Sequence, residues 1–126
     1  MTTDIKEIVN SAMDELAINY AFMEFKELPK YPYFVGEYQE SETSNECGMQ
    51  EGTFILTGFT RNEWQGLEDA KAKIENHFNK VYGKTVIADS GNAVAVFYAN
   101  SLVIPTGDAE LKKIQINLTV KEWKVN

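Results

Sequence analysis

The chain predicts an α+β domain: two helices packed on one face of a mainly antiparallel, possibly mixed, β-sheet, with a long hairpin projecting from it. Three observations carry that reading. Apolar residues recur at helical spacing in two separated segments, one near the start and one around residues 64–81. Between and after them lie runs of strand length, rich in aromatic and β-branched residues. The resulting order of helix, strands, helix, strands groups the strands instead of alternating each with a helix. With 126 residues, 44% of them hydrophobic, the chain suits a single domain over 1–126 with one core.

Asp4 and Glu7 have the spacing of a capping box, and Ile5, Ile8, Val9, Ala12, Met13 and Leu16 then form one apolar helical stripe. Beyond Ala17 the period changes. Residues 20–25, Tyr-Ala-Phe-Met-Glu-Phe, read as a short strand, and the Pro29-Lys30-Tyr31-Pro32 stretch reads as a turn. Residues 33–38 then run extended, with Tyr33, Val35 and Glu37 on one face and Phe34, Gly36 and Tyr38 on the other.

Residues 53–60 are apolar on both faces, as expected of an inner strand or one covered by a partner. A second capping box is expected from Thr60 and Glu63, opening a helix whose stripe runs through Trp64, Leu67, Ala70, Ile74, Phe78 and Val81 and stops at Gly83. Residues 86–88 and 93–99 flank Asp89-Ser90-Gly91-Asn92, a turn that suits a hairpin. After a loop through Pro105-Thr106-Gly107-Asp108, the last strand alternates most regularly. Ile114, Ile116, Leu118 and Val120 share one face, and Lys113, Gln115, Asn117, Thr119 and Lys121 share the other. The alternation slips at Glu122, where a bulge or the strand's exit from the core is expected.

Composition excludes several functions. A net charge of −7 argues against direct nucleic-acid binding, which draws its affinity from Lys and Arg against phosphate, and against an anionic membrane surface. The longest apolar run, residues 93–99, is far short of the roughly 20 residues that span a bilayer. The start, Met1-Thr2-Thr3-Asp4, lacks the basic and apolar regions of a secretion signal, so a cytoplasmic protein is expected. A lone Cys47 forms no internal disulfide and sits among carboxylates that disfavour its thiolate. His77, the single histidine, has no neighbouring carboxylate or nucleophile motif that would build a metal site or a triad. The glycines form no phosphate loop. No catalytic residue, metal or cofactor is therefore expected.

The densest chemistry is acidic. Glu40, Glu42, Glu46 and Glu51 lie between two strand-like runs with no basic residue among them, and read as the tip of a hairpin. Their spacing does not fit an EF-hand loop. Tyr20, Phe22, Phe25, Tyr31, Tyr33, Phe34 and Tyr38, in a narrow window, hold more aromatic surface than one small sheet face hides, and excess Tyr and Phe marks interfaces. Tyr33, Phe34, Val35, Tyr38, Phe54, Leu56 and Phe59 are accordingly the expected contact surface, on an interlocking arm over residues 37–59.

The N-terminal helix, the Tyr31-Pro32-Tyr33-Phe34-Val35 run into a long hairpin, the helix near Glu63-Trp64 and the closing stretch from Thr106 to Ile116 together resemble the tail-terminator or tail-completion proteins of long-tailed bacteriophages and prophages. The resemblance spans nearly the whole chain. It implies a structural virion protein without catalysis, forming a ring of its own copies, typically a hexamer. That ring would cap the head-proximal end of the tail tube, stop its growth and present a surface to a head-side connector protein. It implies assembly in the host bacterial cytoplasm and a final place in the virion tail. DNA would pass through the ring without specific binding, and Glu40, Glu42, Glu46 and Glu51 would face the lumen and repel phosphate. The competing reading is a small acidic inhibitor that mimics DNA in a basic cleft of a host protein, or a related head-tail connector. A mimic needs carboxylates gathered on one surface, whereas here Lys6, Lys26, Lys71, Lys73 and Lys80 are mixed among them.

Overall fold

The computed structural model describes residues 3–23, 30–40 and 49–124. Two helices, α1 (Thr3–Glu15) and α2 (Gln65–His77), accompany six strands. These are β1 (Asn19–Phe22), β2 (Tyr33–Glu40), β3 (Met49–Arg61), β4 (Lys84–Ile87), β5 (Ala93–Ile104) and β6 (Leu111–Trp123). They form one mixed sheet in the order β1-β2-β3-β6-β5-β4. Only β1 and β2 run parallel among these pairs, and every other neighbour is antiparallel. No helix among the described residues is long and apolar enough to cross a membrane.

Both helices pack on the same sheet face. The stripe of α1 buries Ile5, Val9, Ala12 and Met13, and α2 buries Leu67, Ala70 and Ile74, with Phe78 just beyond its end. They meet Phe34 of β2, Phe54 and Leu56 of β3, Val94, Val96 and Tyr98 of β5, and Ile114, Ile116, Leu118 and Val120 of β6 in one cluster. Period-2 alternation on the strands and the helical stripes thus converge on one core, as the sequence predicts.

The central pair is β3 and β6, in register over thirteen residues from Met49↔Trp123 to Arg61↔Leu111. With β2 on its other side, β3 is an inner strand; its even-numbered residues lie under the helices, while its odd-numbered residues stay half-buried on the other face. This pairing changes the reading of the acidic hairpin. Its strands are built into the middle of the sheet, so residues 37–59 do not form a free arm; only residues 41–48 connect them, and Glu42 and Glu46 lie there, outside the described residues. Glu51 is not at a tip: it sits inside β3, opposite Lys121.

Both expected capping boxes give way to tertiary contacts. Asp4 lies within the first turn of α1, and its carboxylate Oδ2 accepts hydrogen bonds from Ser90 Oγ at 2.9 Å and Asn92 Nδ2 at 3.2 Å. It ties the helix start to the β4–β5 turn. Thr60 is buried in β3, because β6 extends that strand to Arg61, and α2 instead starts after Trp64 with no side-chain cap. The first strand is also shorter than expected, ending at Phe22, while Phe25 is outside the described residues.

The expected irregularity at Glu122 is absent. The strand keeps its register to Trp123, and Glu122 takes the next position on the helix-covered face, where it is buried. The bulge lies on β5 instead, where Ala99 is the extra residue between Tyr98↔Leu118 and Asn100↔Asn117. The β4–β5 hairpin forms as expected, with Gly91 at φ +92° in its turn.

Candidate functional site: the uncovered sheet face

Among the described residues, helices cover one side of the sheet only. The other side presents Tyr33, Val35 and Glu37 from β2, the odd-numbered residues of β3 and β6, and, after the bulge, Asn100, Leu102 and Ile104 from β5. The seven residues expected to form one contact surface are therefore divided. Phe34, Phe54 and Leu56 are fully buried beneath the helices, and Tyr38 packs against that core. Tyr33, Val35 and Phe59 belong to the uncovered face, although Val35 is itself only 6% exposed. The physical reason is the pleat: neighbouring residues on one strand point to opposite sides, so a continuous aromatic run cannot form one surface.

Close packing fixes this division. A Cβ at Gly58 would lie 2.6 Å from Phe34 Cζ, and one at Gly36 would lie 2.8 Å from Phe54 Cε1. The absent side chains leave room for large rings across the strand pair. Tyr20 and Tyr38 lie over the same glycine-lined surface, and their hydroxyls are buried with no hydrogen-bond partner among the described residues. Burial pushes the Tyr38 phenol up to about 12, with the carboxylates of Glu40 and Glu122 adding to the shift.

One end of the uncovered face is an aromatic and cationic cluster. Tyr33 stacks on Phe59 with ring centroids 5.1 Å apart and 20° between planes, and Tyr31 tilts against Tyr33 at 5.7 Å. Lys113 lies 5.4 Å from the Phe59 ring centre and Arg61 5.8 Å from that of Tyr31. Arg61 Nη1 also meets Asp108 Oδ2 at 3.3 Å. The Asp108 carboxyl is held below its usual range, chiefly because the Glu110 N–H donates to it, with Arg61 adding to the effect. The middle of the face is neutral, where Asn117 Nδ2 donates to Asn100 Oδ1 at 2.7 Å and Gln115 Nε2 to Asn117 Oδ1 at 3.0 Å.

The opposite end holds an open groove of about 450 Å³ beside the α2–β4 loop, lined by Lys80 and Phe97 on one side and Thr119, Lys121 and Glu51 on the other. Lys121 lies 5.7 Å from the Phe97 ring centre. Past Val96, β5 has no β4 partner, so residues 100–104 form an edge, with Leu102 47% and Val103 58% exposed.

His77 is elsewhere, at the end of α2 on the helix side. It sits edge-on to Phe78, with ring centroids 4.7 Å apart, in a groove of about 350 Å³ that also receives Asp4, Glu7, Glu15 and Lys84. Burial lowers its pKa, the Lys84 ammonium lowers it further, and Glu15 opposes both. Among the described residues, no group of three or more His, Cys, Asp or Glu is placed to hold a metal ion. Cys47 lies outside the described residues.

The sequence reading passed over Arg61, Lys80 and Phe97 as parts of this face. The available signal was the alternation of β6, which sets Lys113 and Lys121 on one side; their partners come from distant segments. What the geometry offers is a broad, open surface of rings, cations and amides flanked by strand edges, a form suited to contact with another macromolecule. No protein-family model matches the chain, and no curated protein sequence is significantly similar to it.

Proposed function

We propose that the protein is a non-catalytic assembly subunit that closes with copies of itself into a ring, of six in the simplest case, at the head-proximal end of a phage tail tube. The observation that carries this reading is the sheet: among the described residues, helices cover one face, the other is open from Tyr31 to Lys121, and β5 has an unpaired edge at residues 100–104. A subunit in a closed ring uses two different surfaces, one for each neighbour. An uncovered face and a separate strand edge supply two. The resemblance of the chain to tail terminators supports the same reading. In it the tail-tube protein and a head-side connector are the partners, and the host cytoplasm and then the virion tail are the locations.

The acidic decoy reading loses ground because Arg61, Lys113 and Lys121 occupy the large open face, where a DNA mimic requires carboxylates at phosphate-like spacing.

The test is to add purified protein to growing tail tubes of the same phage and to image the tube ends by electron microscopy. Rings at one end, on tubes that stop lengthening, are the expected result. Tubes that continue to grow with bare ends overturn the proposal.

A further inference from the structure

Exposed apolar side chains gather on one edge of the sheet. Of nine large hydrophobic residues exposed among the described residues, five lie along β4, the loop before it and the free end of β5: Val81, Tyr82, Ile87, Leu102 and Val103. Tyr82 is 81% and Ile87 75% exposed. The loop belongs to this edge, because the Tyr98 N–H donates to the Phe78 carbonyl at 2.6 Å and a Cβ at Gly83 would meet the Phe97 ring. Apolar residues scattered over a surface need no partner, whereas a row confined to one edge marks a contact.

Charge says what the edge meets. Beside it, between α1 and β4, lies the groove that holds His77, where the carboxylates of Asp4, Glu7, Glu15 and Asp89 stand against the ammonium of Lys84. Asp4 is engaged by Ser90 and Asn92, but Glu7, Glu15 and Asp89 enter no ion pair among the described residues. The uncovered face has the opposite balance: Arg61, Lys113 and Lys121 stand on it with Glu37 and Glu51, in a chain whose net charge is −7. Edge against edge sets carboxylates on carboxylates, and face against face sets cations on cations. Edge against face sets each on its opposite.

The area also suffices. The twelve residues of β5 run about 40 Å at about 3.3 Å each, and a helix layer on a sheet layer is about 20 Å deep. About 800 Å² per partner is the size of a standard specific interface.

We propose that the β4–β5 edge of one copy seats on the uncovered face of the next, with Tyr82 and Ile87 on the Tyr33–Phe59 ring pair and with Glu7 and Glu15 set against Arg61 and Lys113. The inference rests on the ring reading above, in which edge and face are the two surfaces, and names the groups that join them. The contact runs head to tail, so it closes into a ring when the rotation between copies allows. Apolar edge and stacked rings are covered together, and the acids beside α1 gain the cations they lack within their own chain.

Paired cysteines test the contact. A tagged edge chain carries Cys47→Ser and Ile87→Cys; an untagged face chain carries Cys47→Ser and Thr57→Cys, two residues from Phe59 on the uncovered side of β3. The two are mixed in the presence of tail tubes and oxidised mildly, and a disulfide-linked heterodimer is the expected product. Its yield should fall roughly fivefold or more when the face chain also carries Arg61→Glu and Lys113→Glu, and should recover when the edge chain carries Glu7→Lys and Glu15→Lys. That recovery shows that the reversed face chain is folded. Tyr82→Ser in the edge chain, at a side chain that its own fold barely touches, should lower the yield roughly threefold or more.

Capped tubes without heterodimer overturn this inference and leave the ring reading standing. Heterodimer on tubes that keep growing does the reverse. Tagged chains linked only to one another would pair edge with edge and overturn the inference. So would a yield that neither the reversal of Arg61 and Lys113 nor Tyr82→Ser diminishes.

Discussion

Tyr33 stacks on Phe59 across β2 and β3, 5.1 Å between ring centres, on the side of the sheet opposite the helices. An offset aromatic pair contributes about 0.5–1.5 kcal/mol beyond its buried area. A double-mutant cycle of Tyr33→Leu and Phe59→Leu, read by urea unfolding, should give a coupling in that range. A coupling near zero would mean that the rings are merely adjacent. If the face is an assembly surface, the same variants should also lower the fraction of capped tube ends at temperatures where both stay folded.

Phe34, Phe54 and Leu56 should behave differently. All three are fully buried under the helices, so Phe34→Ala and Phe54→Ala should cost about 3–5 kcal/mol and Leu56→Ala about 2–5 kcal/mol. Their effect on assembly should track the loss of folded protein measured by circular dichroism. An assembly defect in fully folded Leu56→Ala protein would contradict the placement.

Gly58 faces the Phe34 ring, and a Cβ there has no space. Gly58→Ala should destabilise by about 1–3 kcal/mol through overpacking. Shrinking the ring by Phe34→Leu in the same chain should recover part of that loss, leaving a non-additive pair. Strict additivity in thermal melts would rule out the steric account.

The buried hydroxyls of Tyr20 and Tyr38 have no hydrogen-bond partner among the described residues. Removing a buried polar atom that bonds to nothing relieves its desolvation cost, so Tyr20→Phe and Tyr38→Phe should leave stability unchanged or raise it by up to about 1 kcal/mol. A loss above about 1 kcal/mol would reveal a hydrogen bond to each hydroxyl in solution.

The pKa of His77 is lowered by burial, then by Lys84, against the opposing Glu15. A depressed folded-state value means that the unfolded chain binds the proton more readily. Stability is therefore full above the ordinary histidine range and declines as pH falls from about 6.5 through the lower folded value. The difference in melting temperature between wild type and His77→Gln should accordingly change across that window, with wild type losing more on acidification. Lys84→Gln should move the His77 titration, followed by NMR, back toward its ordinary position. A titration unchanged by Lys84→Gln would remove that ammonium as a cause.

The legible part of this protein was local. The stripe of α1, the alternation of β6 and the turn at residues 89–92 are each written in neighbouring residues and fold accordingly, whereas α2 buries Leu67, Ala70 and Ile74 as its period dictates but ends at His77, short of the expected stop at Gly83, and leaves Val81 exposed beyond it. The apolar character of both faces of β3 suited an inner strand or one covered by a partner, and β3 is an inner strand. What periodicity could not settle was which face of β2 and β3 the helices would cover. Both faces carry aromatic groups, and only the joint packing of α1 and α2 selects Phe34 and Phe54 for the core and leaves Tyr33 and Phe59 outside.

Long-range pairing decided the rest. Thr60 has the sequence of a helix cap, yet β6 holds it in a strand; Glu51 has the sequence of a loop acid, yet the same strand sets it opposite Lys121. Propensity for a cap amounts to about 1 kcal/mol, whereas a thirteen-residue antiparallel ladder commits the backbone groups of alternate residues along both strands. The sequence by itself therefore determined the elements and the chemistry available to them. Only the tertiary structure decided which residues share a face, because strands far apart in the chain must pair before their side chains can meet.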